Sequence, residues 1–441
     1  MLKLLLLFVL AAPVALAQTE LSATDAVLIA LENNYQIQIA EKQHAVNVIN
    51  NKWSEAGLFP TVDLTIGQSN NLQDNTQNPF TFTPGLILSQ GINPSLNVNW
   101  NIFSGFAVKI SKQRLEQLEG QSANNAMTVI EVTIQDVLKA YFTAQLQKDR
   151  LSLFSSILTL SKERHDYYLI KEKYSTATSL ELLQFKNQYL TDSTNYLTQK
   201  ISFDNSLRNL RLLMNESDSA IRASEYLLTD QLKMDIQEMN FEEANAQMLS
   251  DNTNLQAQYI GLELQKTATS LQKSFLYPTL SFQGGVQPSW SKIRDLNNDA
   301  FAADPYTLSY YGNFNLRYTL FNNWKNKRAV EVSKIQEEIS TLNIESMQKT
   351  LSSTLKNLME LYEVRTQLLS ISTENLDYAK QAFELAEKRF DLGSINSIDL
   401  ATFQNTYENT SIQHYENLFN RLDTYLEIHK MTGKLRLGYI K

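Results

Sequence analysis

The residues of this chain that could do covalent or metal chemistry are few and scattered. Its four histidines, His44, His165, His414 and His429, share no metal-ligand spacing with one another or with a pair of carboxylates. There is no cysteine, which removes disulfides, thiolate metal sites and thiol nucleophiles. Gly284-Gly285 lies inside a strand-like run rather than between a strand and a helix, so it is not a phosphate-binding loop. The acidic residues are spread along helical stretches as solvated faces. No enzyme constellation and no cofactor are expected, and a net charge of -8 argues against a nucleic-acid partner. What remains is non-covalent chemistry: rows of amides and hydroxyls, and a few carboxylates and small residues at the turns of long helices.

The amide rows belong to four runs of period two. Val62, Leu64 and Ile66 alternate with Thr61, Asp63, Thr65 and Gly67, and Leu96, Val98, Trp100 and Ile102 alternate with Ser95, Asn97, Asn99 and Asn101. Further on, Leu280, Phe282 and Val286 alternate with polar residues and glycine, and Phe314, Leu316, Tyr318 and Leu320 alternate with Asn313, Asn315, Arg317 and Thr319. Strands are therefore expected at about 61–67, 95–103, 279–286 and 312–321, with polar loops over residues 68–92 and 288–308. A half-buried strand in a soluble sandwich gives the same alternation. Two features favour membrane strands, with Asn97, Asn99, Asn101, Asn313, Asn315 and Arg317 facing a lumen: aromatic residues cluster at the run ends (Phe59, Trp100, Phe103, Phe106, Tyr277, Tyr318, Phe321 and Trp324), and an export signal precedes everything. Residues 1–17 supply that signal: Lys3, an apolar stretch from Leu4 to Ala12, and Ala15-Leu16-Ala17 before Gln18. Open edges are not tolerated in lipid, so four strands imply oligomerisation, and three chains would supply twelve.

The carboxylates and small residues belong to long helices. From Leu351 apolar residues recur at steps of four and three through Leu355, Leu358, Tyr362, Leu369, Leu376, Ala379, Phe383, Ala386 and Phe390, interrupted by Arg365 and Ser372; a second stripe runs Leu361, Val364, Leu368, Ile371, Asn375, Tyr378, Ala382 and Leu385. Two seams on one helix let it pack against a neighbour on either side. The pattern runs from about Asn326 to Phe390, which is on the order of 100 Å of helix. A matching rod runs from about Val108 to Lys173, and each is followed by a return helix, with turns expected at about 175–179 and 392–397.

The chain is also written twice. Leu58-Phe59-Pro60-Thr61 returns as Leu276-Tyr277-Pro278-Thr279, Ile102-Phe103 as Leu320-Phe321, and Leu180-Glu181-Leu182 as Ile398-Asp399-Leu400, always 218 residues later (58 to 276). Two structural repeats are expected, at 18–240 and 241–441.

In its duplication, its Leu-Phe-Pro-Thr and Leu-Tyr-Pro-Thr helix ends, its Ile-Phe-Ser-Gly and Leu-Phe-Asn-Asn strand ends, and the tip Arg389-Phe390-Asp391-Leu392-Gly393 followed by Asp399, the sequence resembles the TolC family of outer-membrane efflux and secretion channels. The resemblance implies a mixed α and β membrane channel. Long antiparallel helical hairpins would form an α-barrel in the periplasm, continued by a twelve-stranded β-barrel of a homotrimer in the outer membrane. The implied partners are outer-membrane lipid, a periplasmic adaptor protein and an inner-membrane transporter of RND or ABC type. The implied role is the exit duct of a tripartite efflux system for drugs or other small molecules. A conduit for type I protein secretion would share the fold, and an exported coiled-coil scaffold or adhesin is the reading that leaves the period-two runs unexplained.

The resemblance also implies a closed periplasmic aperture. Of the family's aspartate ring and its locking tyrosine and arginine, the first aspartate falls on Asp399, while the second falls on Thr402, the tyrosine on Phe390 and the arginine on Ile395, so three positions depart. Asp391 is the competing acid, and Glu181 is the first-repeat counterpart of Asp399, with helix N-terminal charge compensation as its other reading. The turn residues Ser175, Thr176, Ala177, Thr178, Gly393, Ser394, Asn396 and Ser397 are the expected adaptor-docking tips.

The alternation yields a first test. Arg at Val98 or Leu316 should cost about 2 to 4 kcal/mol near a bilayer midplane, and Arg at Asn99 or Asn315 much less. Folding titrations into lipid vesicles measure this; equal tolerance on both faces would remove the membrane assignment.

Overall fold

A strand that crosses from one turn to the next with one polar and one apolar face needs partners on both sides, and the computed structural model shows where they come from. It describes residues 19–81, 84–176, 178–216, 226–232, 240–298 and 302–437; the export signal at 1–17 and the tip residue Ala177 lie outside these. In chain order the elements are β1 (Thr19–Leu21), α1 (Ala23–Asn33), α2 (Tyr35–Asn50), β2 (Thr61–Asp74), β3 (Leu86–Ser104), α3 (Ala107–Lys173), α4 (Ser179–Met214), β4 (Tyr226–Leu228), α5 (Phe241–Asp251), α6 (Thr253–Ser274), β5 (Thr279–Asp295), β6 (Ala302–Ala303), β7 (Tyr306–Arg317), α7 (Lys325–Asp391), α8 (Ser397–Met431) and α9 (Lys434–Leu437). The chain separates into two compact units, one within Met1–Lys42, Asn124–Gln256 and Ser346–Lys441, the other within Gln43–Ala123 and Ala257–Glu345. Each unit draws on both halves of the sequence.

In the second unit the strands form an antiparallel sheet in the order β2-β3-β5-β7, with the short β6 also against β5. The strands are longer than the alternation suggests. β2 continues to Asp74 and β3 begins at Leu86; β5 continues to Asp295 and β7 begins at Tyr306, so most of 68–92 and 288–308 is strand rather than loop. The last strand also ends at Arg317, leaving Tyr318 to Phe321 outside it. Two physical reasons account for the difference. Beyond the apolar band both faces are wetted, so Gln68, Ser69, Asn70 and Asn71 carry no period. Pro94 and Pro288, which read as breakers, face each other across β3 and β5. The ladder is interrupted there, between Ile92↔Trp290 and Leu96↔Val286, and Ser289 donates to Asn93 Oδ1 at 2.6 Å across the gap.

Both strand-to-helix junctions need two consecutive left-handed residues. Gly105 and Phe106 have φ of 64° and 70°, and their counterparts Asn323 and Trp324 have 59° and 60°. At Gly105 space is also short, since a Cβ would lie 2.2 Å from the Ser274 carbonyl oxygen.

In the first unit, one apolar cluster joins α1, α3, α4 and α8 through Ala26, Val27, Ala30, Ile134, Val137, Leu138, Leu210 and Leu426. Tyr141, fully buried on α3, ties in the two-stranded parallel sheet β1-β4: its hydroxyl donates to the Leu21 carbonyl at 2.8 Å and accepts from the Thr229 and Asp230 amides. α7 shows what its two stripes are for. Leu355, Ala379, Phe383 and Ala386 of the first are buried, whereas Val364, Ile371 and Tyr378 of the second are 50%, 65% and 61% exposed. The interruptions in the first stripe bond across to α8: Arg365 donates to the Asn420 carbonyl and the Thr424 hydroxyl, and Ser372 lies 3.4 Å from His414 Nδ1.

Gly105→Ala should lower stability by more than about 1 kcal/mol, because a β-carbon meets both a left-handed φ and a backbone oxygen, whereas Asn323→Gly at the equivalent turn should be neutral or mildly stabilising. Thermal unfolding of the detergent-solubilised protein reads both; equal effects would remove the steric account.

Candidate functional site: the polar sheet face and the hairpin tips

Residues directly opposite in an antiparallel pair share a face, so the registers sort the sheet. Thr61, Asn99, Gln283 and Asn313 form one row across all four strands; Asp63, Asn97, Gly285 and Tyr311 form the next. Asn101, Ser281 and Asn315 continue the face, and Arg317 stands opposite Thr279 at its end. All six residues expected to line a lumen thus fall on one face. Tyr311 donates to Asn97 Oδ1 at 2.5 Å, and Asn97 donates to Ser95 Oγ at 3.0 Å. Outside Asp63 and Arg317 the rows from Thr61 to Asn101 are amides, hydroxyls and glycine, which offer hydrogen bonds without a fixed charge.

The other face is apolar and open. Val62 faces Val98, and Leu64, Leu96, Val286 and Tyr310 form one row; Leu64 is 70% and Phe314 71% exposed. Aromatic groups bound it at both ends. At one end Trp100 donates to the Leu58 carbonyl at 2.9 Å, Phe282 lies 5.0 Å from Phe314, and a bulge at Ile102 leads to Phe103, Phe106 and Tyr277 in edge contact. At the other, Trp290 and Tyr306 are 5.3 Å apart. This second girdle was missed in the sequence because it falls beyond Pro288, in what reads as loop. Eight residues separate Phe282 from Trp290, about 26 Å along a strand, which the usual tilt of a barrel strand reduces to roughly 20 Å of height, somewhat less than the about 25 Å apolar band of an outer-membrane barrel.

At the tips of the hairpins the first turns of α4 and α8 are both capped. Thr178 and Glu181 form a capping box: Glu181 Oε2 accepts from the Thr178 amide at 2.9 Å and hydroxyl at 2.8 Å, which holds its carboxyl below the usual range. Glu181 is therefore engaged by its own helix. In α8 the cap is Asn396, whose Oδ1 accepts from the Ile398 and Asp399 amides at 2.9 Å each. The Asp399 side chain stays exposed, and Thr402 turns its hydroxyl back to the Ile398 carbonyl. Ser175 and Gly393 take the left-handed turns, with φ of 58° and 72°; Thr176 bonds the Lys171 carbonyl, Ser394 the Arg389 carbonyl, and Ser397 donates to Gln184 Oε1 at 2.6 Å.

Of the remaining aperture candidates, Phe390 and Ile395 pack inward, whereas Asp391 is exposed. Phe390 sits among Tyr168 and Phe185, with ring centroids 6.2 and 5.8 Å away, and Ile395 and Phe390 both pack on Phe383, Ala386 and Leu400. Next to this cluster is a polar knot that the sequence did not single out. Arg164 on α3 donates to Glu387 of α7 at 2.5 Å and to Gln404 of α8 at 2.8 Å, and its guanidinium lies over Phe383. Gln404 reaches Asp192 of α4, which also accepts from Gln188. Burial raises Asp192 and Glu387, and burial beside Asp192 pushes Glu408 up to about 7. Asp391 adds its field to Arg164 and Glu387, whereas Asp399 joins none of them. Arg164 escaped notice because a lone charge on a long helix reads as solvated; only the approach of three other helices makes it a junction.

A sheet with one amide-lined and one girdled apolar face, carried with paired helical hairpins, defines an outer-membrane channel fold. The description "outer membrane efflux protein" matches the chain twice, at residues 27–216 and 245–434, again 218 residues apart. The chain belongs to the outer membrane efflux protein family. No curated protein sequence matches it. Among solved structures it is similar to the CmeC outer membrane channel of Campylobacter jejuni, with TM-score 0.75 and 14% identity over 93% of this chain and 85% of that one. The open state of the MtrE outer membrane channel of Neisseria gonorrhoeae gives 0.71 and 15% over 93% and 88%. The outer membrane protein VceC of Vibrio cholerae gives 0.70 and 10% over 93% and 96%. At these identities the likeness is one of fold.

Arg164→Met should destabilise the helical unit by roughly 1 to 3 kcal/mol, because Glu387 is left as an unpaired, half-buried charge. Adding Glu387→Met should recover much of that loss. Chemical denaturation of the two single variants and the double closes the cycle; additive losses would dissolve the pair.

Proposed function

We propose that the protein is the outer-membrane exit duct of a tripartite efflux system, carrying drugs or other small molecules out of the cell. Three copies close one β-barrel in the outer membrane, with Asn97, Asn99, Asn101, Asn313, Asn315 and Arg317 toward the lumen, and their helices extend into the periplasm. The observation that carries this reading is the four-stranded sheet with one polar face, one girdled apolar face and two unpaired edges, in a chain of the efflux family. The exposed second stripe of α7, from Leu361 to Leu385, supports assembly, since a helix side of that apolarity calls for a neighbouring helix.

A periplasmic adaptor would dock on the hairpin tips through Ser175, Thr176, Ala177, Thr178, Gly393, Ser394, Asn396 and Ser397, and an inner-membrane transporter of RND or ABC type would load the duct. Asp399, exposed in the first turn of α8, gives the periplasmic aperture its charge, while Phe390 and Ile395 hold the tip through apolar packing in place of a hydroxyl and an ion pair. The Arg164 knot joins the two hairpins beside them.

Single channels in planar bilayers test the aperture. Asp399→Asn should sharply reduce cation selectivity and block by trivalent cations. If Asp391→Asn does so and Asp399→Asn does not, the aperture acid is Asp391; wild-type protein that forms no channels would remove the duct itself.

A further inference from the structure

The sheet has two free edges, and they differ in a way that fixes how they meet. All 14 residues of β2 and all 12 of β7 are exposed, β2 pairing with β3 and β7 with β5. In lipid such edges must be satisfied. Within one chain they are held apart by β3 and β5, three strand spacings or about 14 Å. The natural occupant of each edge is therefore the other edge on a second copy, and the alternation of strand directions makes that pairing antiparallel.

Length restricts the register. For the whole of β7 to lie against β2, Arg317 must face Thr61, Val62 or Asp63, because any other choice leaves residues at one end unpaired. The pleat removes one of the three: Arg317 and Thr61 are on the polar face and Val62 on the apolar one, so a Val62 pairing would invert every side chain. Charge separates the remaining two. Asp63 and Arg317 are the only charged residues on the polar face between Thr61 and Gln73 of β2 and between Thr307 and Arg317 of β7. Among the described residues neither forms an ion pair within its own chain. Facing Thr61, Arg317 would leave Asp63 opposite Asn315. Facing Asp63, it gains an opposite charge, every β7 residue is paired, and Asp74 meets Tyr306 at the far end. The same register sets Leu64 against Leu316, Ile66 against Phe314 and Leu72 against Leu308 on the apolar face.

We propose that the seam between copies is an antiparallel β2–β7 pairing whose register is set by Asp63 of one copy facing Arg317 of the next, a lumen-side ion pair repeated at every seam. The proposal rests on the oligomeric barrel proposed above, and the test separates the two.

Because the chain has no cysteine, paired cysteines report the register directly. Asp63→Cys with Arg317→Cys, oxidised in outer membranes, should give a covalent ladder on a non-reducing gel. Thr61→Cys with Arg317→Cys should not, since a two-residue slip displaces the partners by about 7 Å, beyond disulfide reach. A ladder from the Thr61 pair alone overturns the register. No ladder from either, with wild-type protein trimeric by native mass, overturns the β2–β7 seam and leaves the trimer standing; monomeric wild-type protein overturns both. Asp63→Arg should lower the temperature at which oligomers dissociate, and Asp63→Arg with Arg317→Asp should restore it; an unchanged temperature in the single variant overturns the ion pair.

Discussion

The constraint on which everything else in this protein depends is that a backbone amide in hydrocarbon must find a partner. A four-stranded sheet satisfies its two inner strands and leaves a row of donors and acceptors on β2 and on β7. That deficit makes a single chain an incomplete object. It also explains why a chain with so few chemically active residues carries so much regular structure: the function proposed for it is to enclose a passage, and enclosure is a matter of edges and faces.

The two faces of the sheet do different work with the same backbone. Amides and hydroxyls from Thr61 to Asn101 present hydrogen bonds in both directions and little charge. Opposite them, Val62, Leu64 and Val98 meet lipid, and the girdles around Trp100 and Trp290 mark where hydrocarbon gives way to water. The helical unit repeats the logic at a different period. The first stripe of α7 is spent inside the chain, on α8 and on the α5 residues Ala244 and Met248, and the second is left for a neighbour. At the tips, Phe390 joins Tyr168 and Phe185, and Arg164 supplies a partly buried ion pair within reach of all four helices of the two hairpins.

Several elements were legible in the sequence because their periods are strong and their termini chemical. The long helices expected over about 108–173 and 326–390 are found at Ala107–Lys173 and Lys325–Asp391, since a helical period sustained over so many residues fits no other element. Strand lengths were not legible. Alternation reports only the stretch whose faces see different solvents, so the strands vanish from the pattern where both faces are wet, and Pro94 and Pro288 hide the continuity because the structure tolerates a ladder gap with one proline opposite the other.

What the sequence by itself determined is the set of surfaces: one polar and one apolar side for each strand, two apolar sides for α7, and capped turns at Thr178 and Asn396, all consequences of local periodicity and hydrogen-bonding groups. What only the tertiary structure decided is which surfaces meet. It buried the stripe of Leu355 and Phe383 and exposed that of Val364 and Ile371, packed Phe390 among Tyr168 and Phe185, and joined Arg164 to Glu387 and Gln404 across more than two hundred residues of chain. The reason is physical: periodicity specifies direction around an element's own axis, whereas choice of partner depends on three-dimensional proximity, which residues far apart in the chain acquire only on folding.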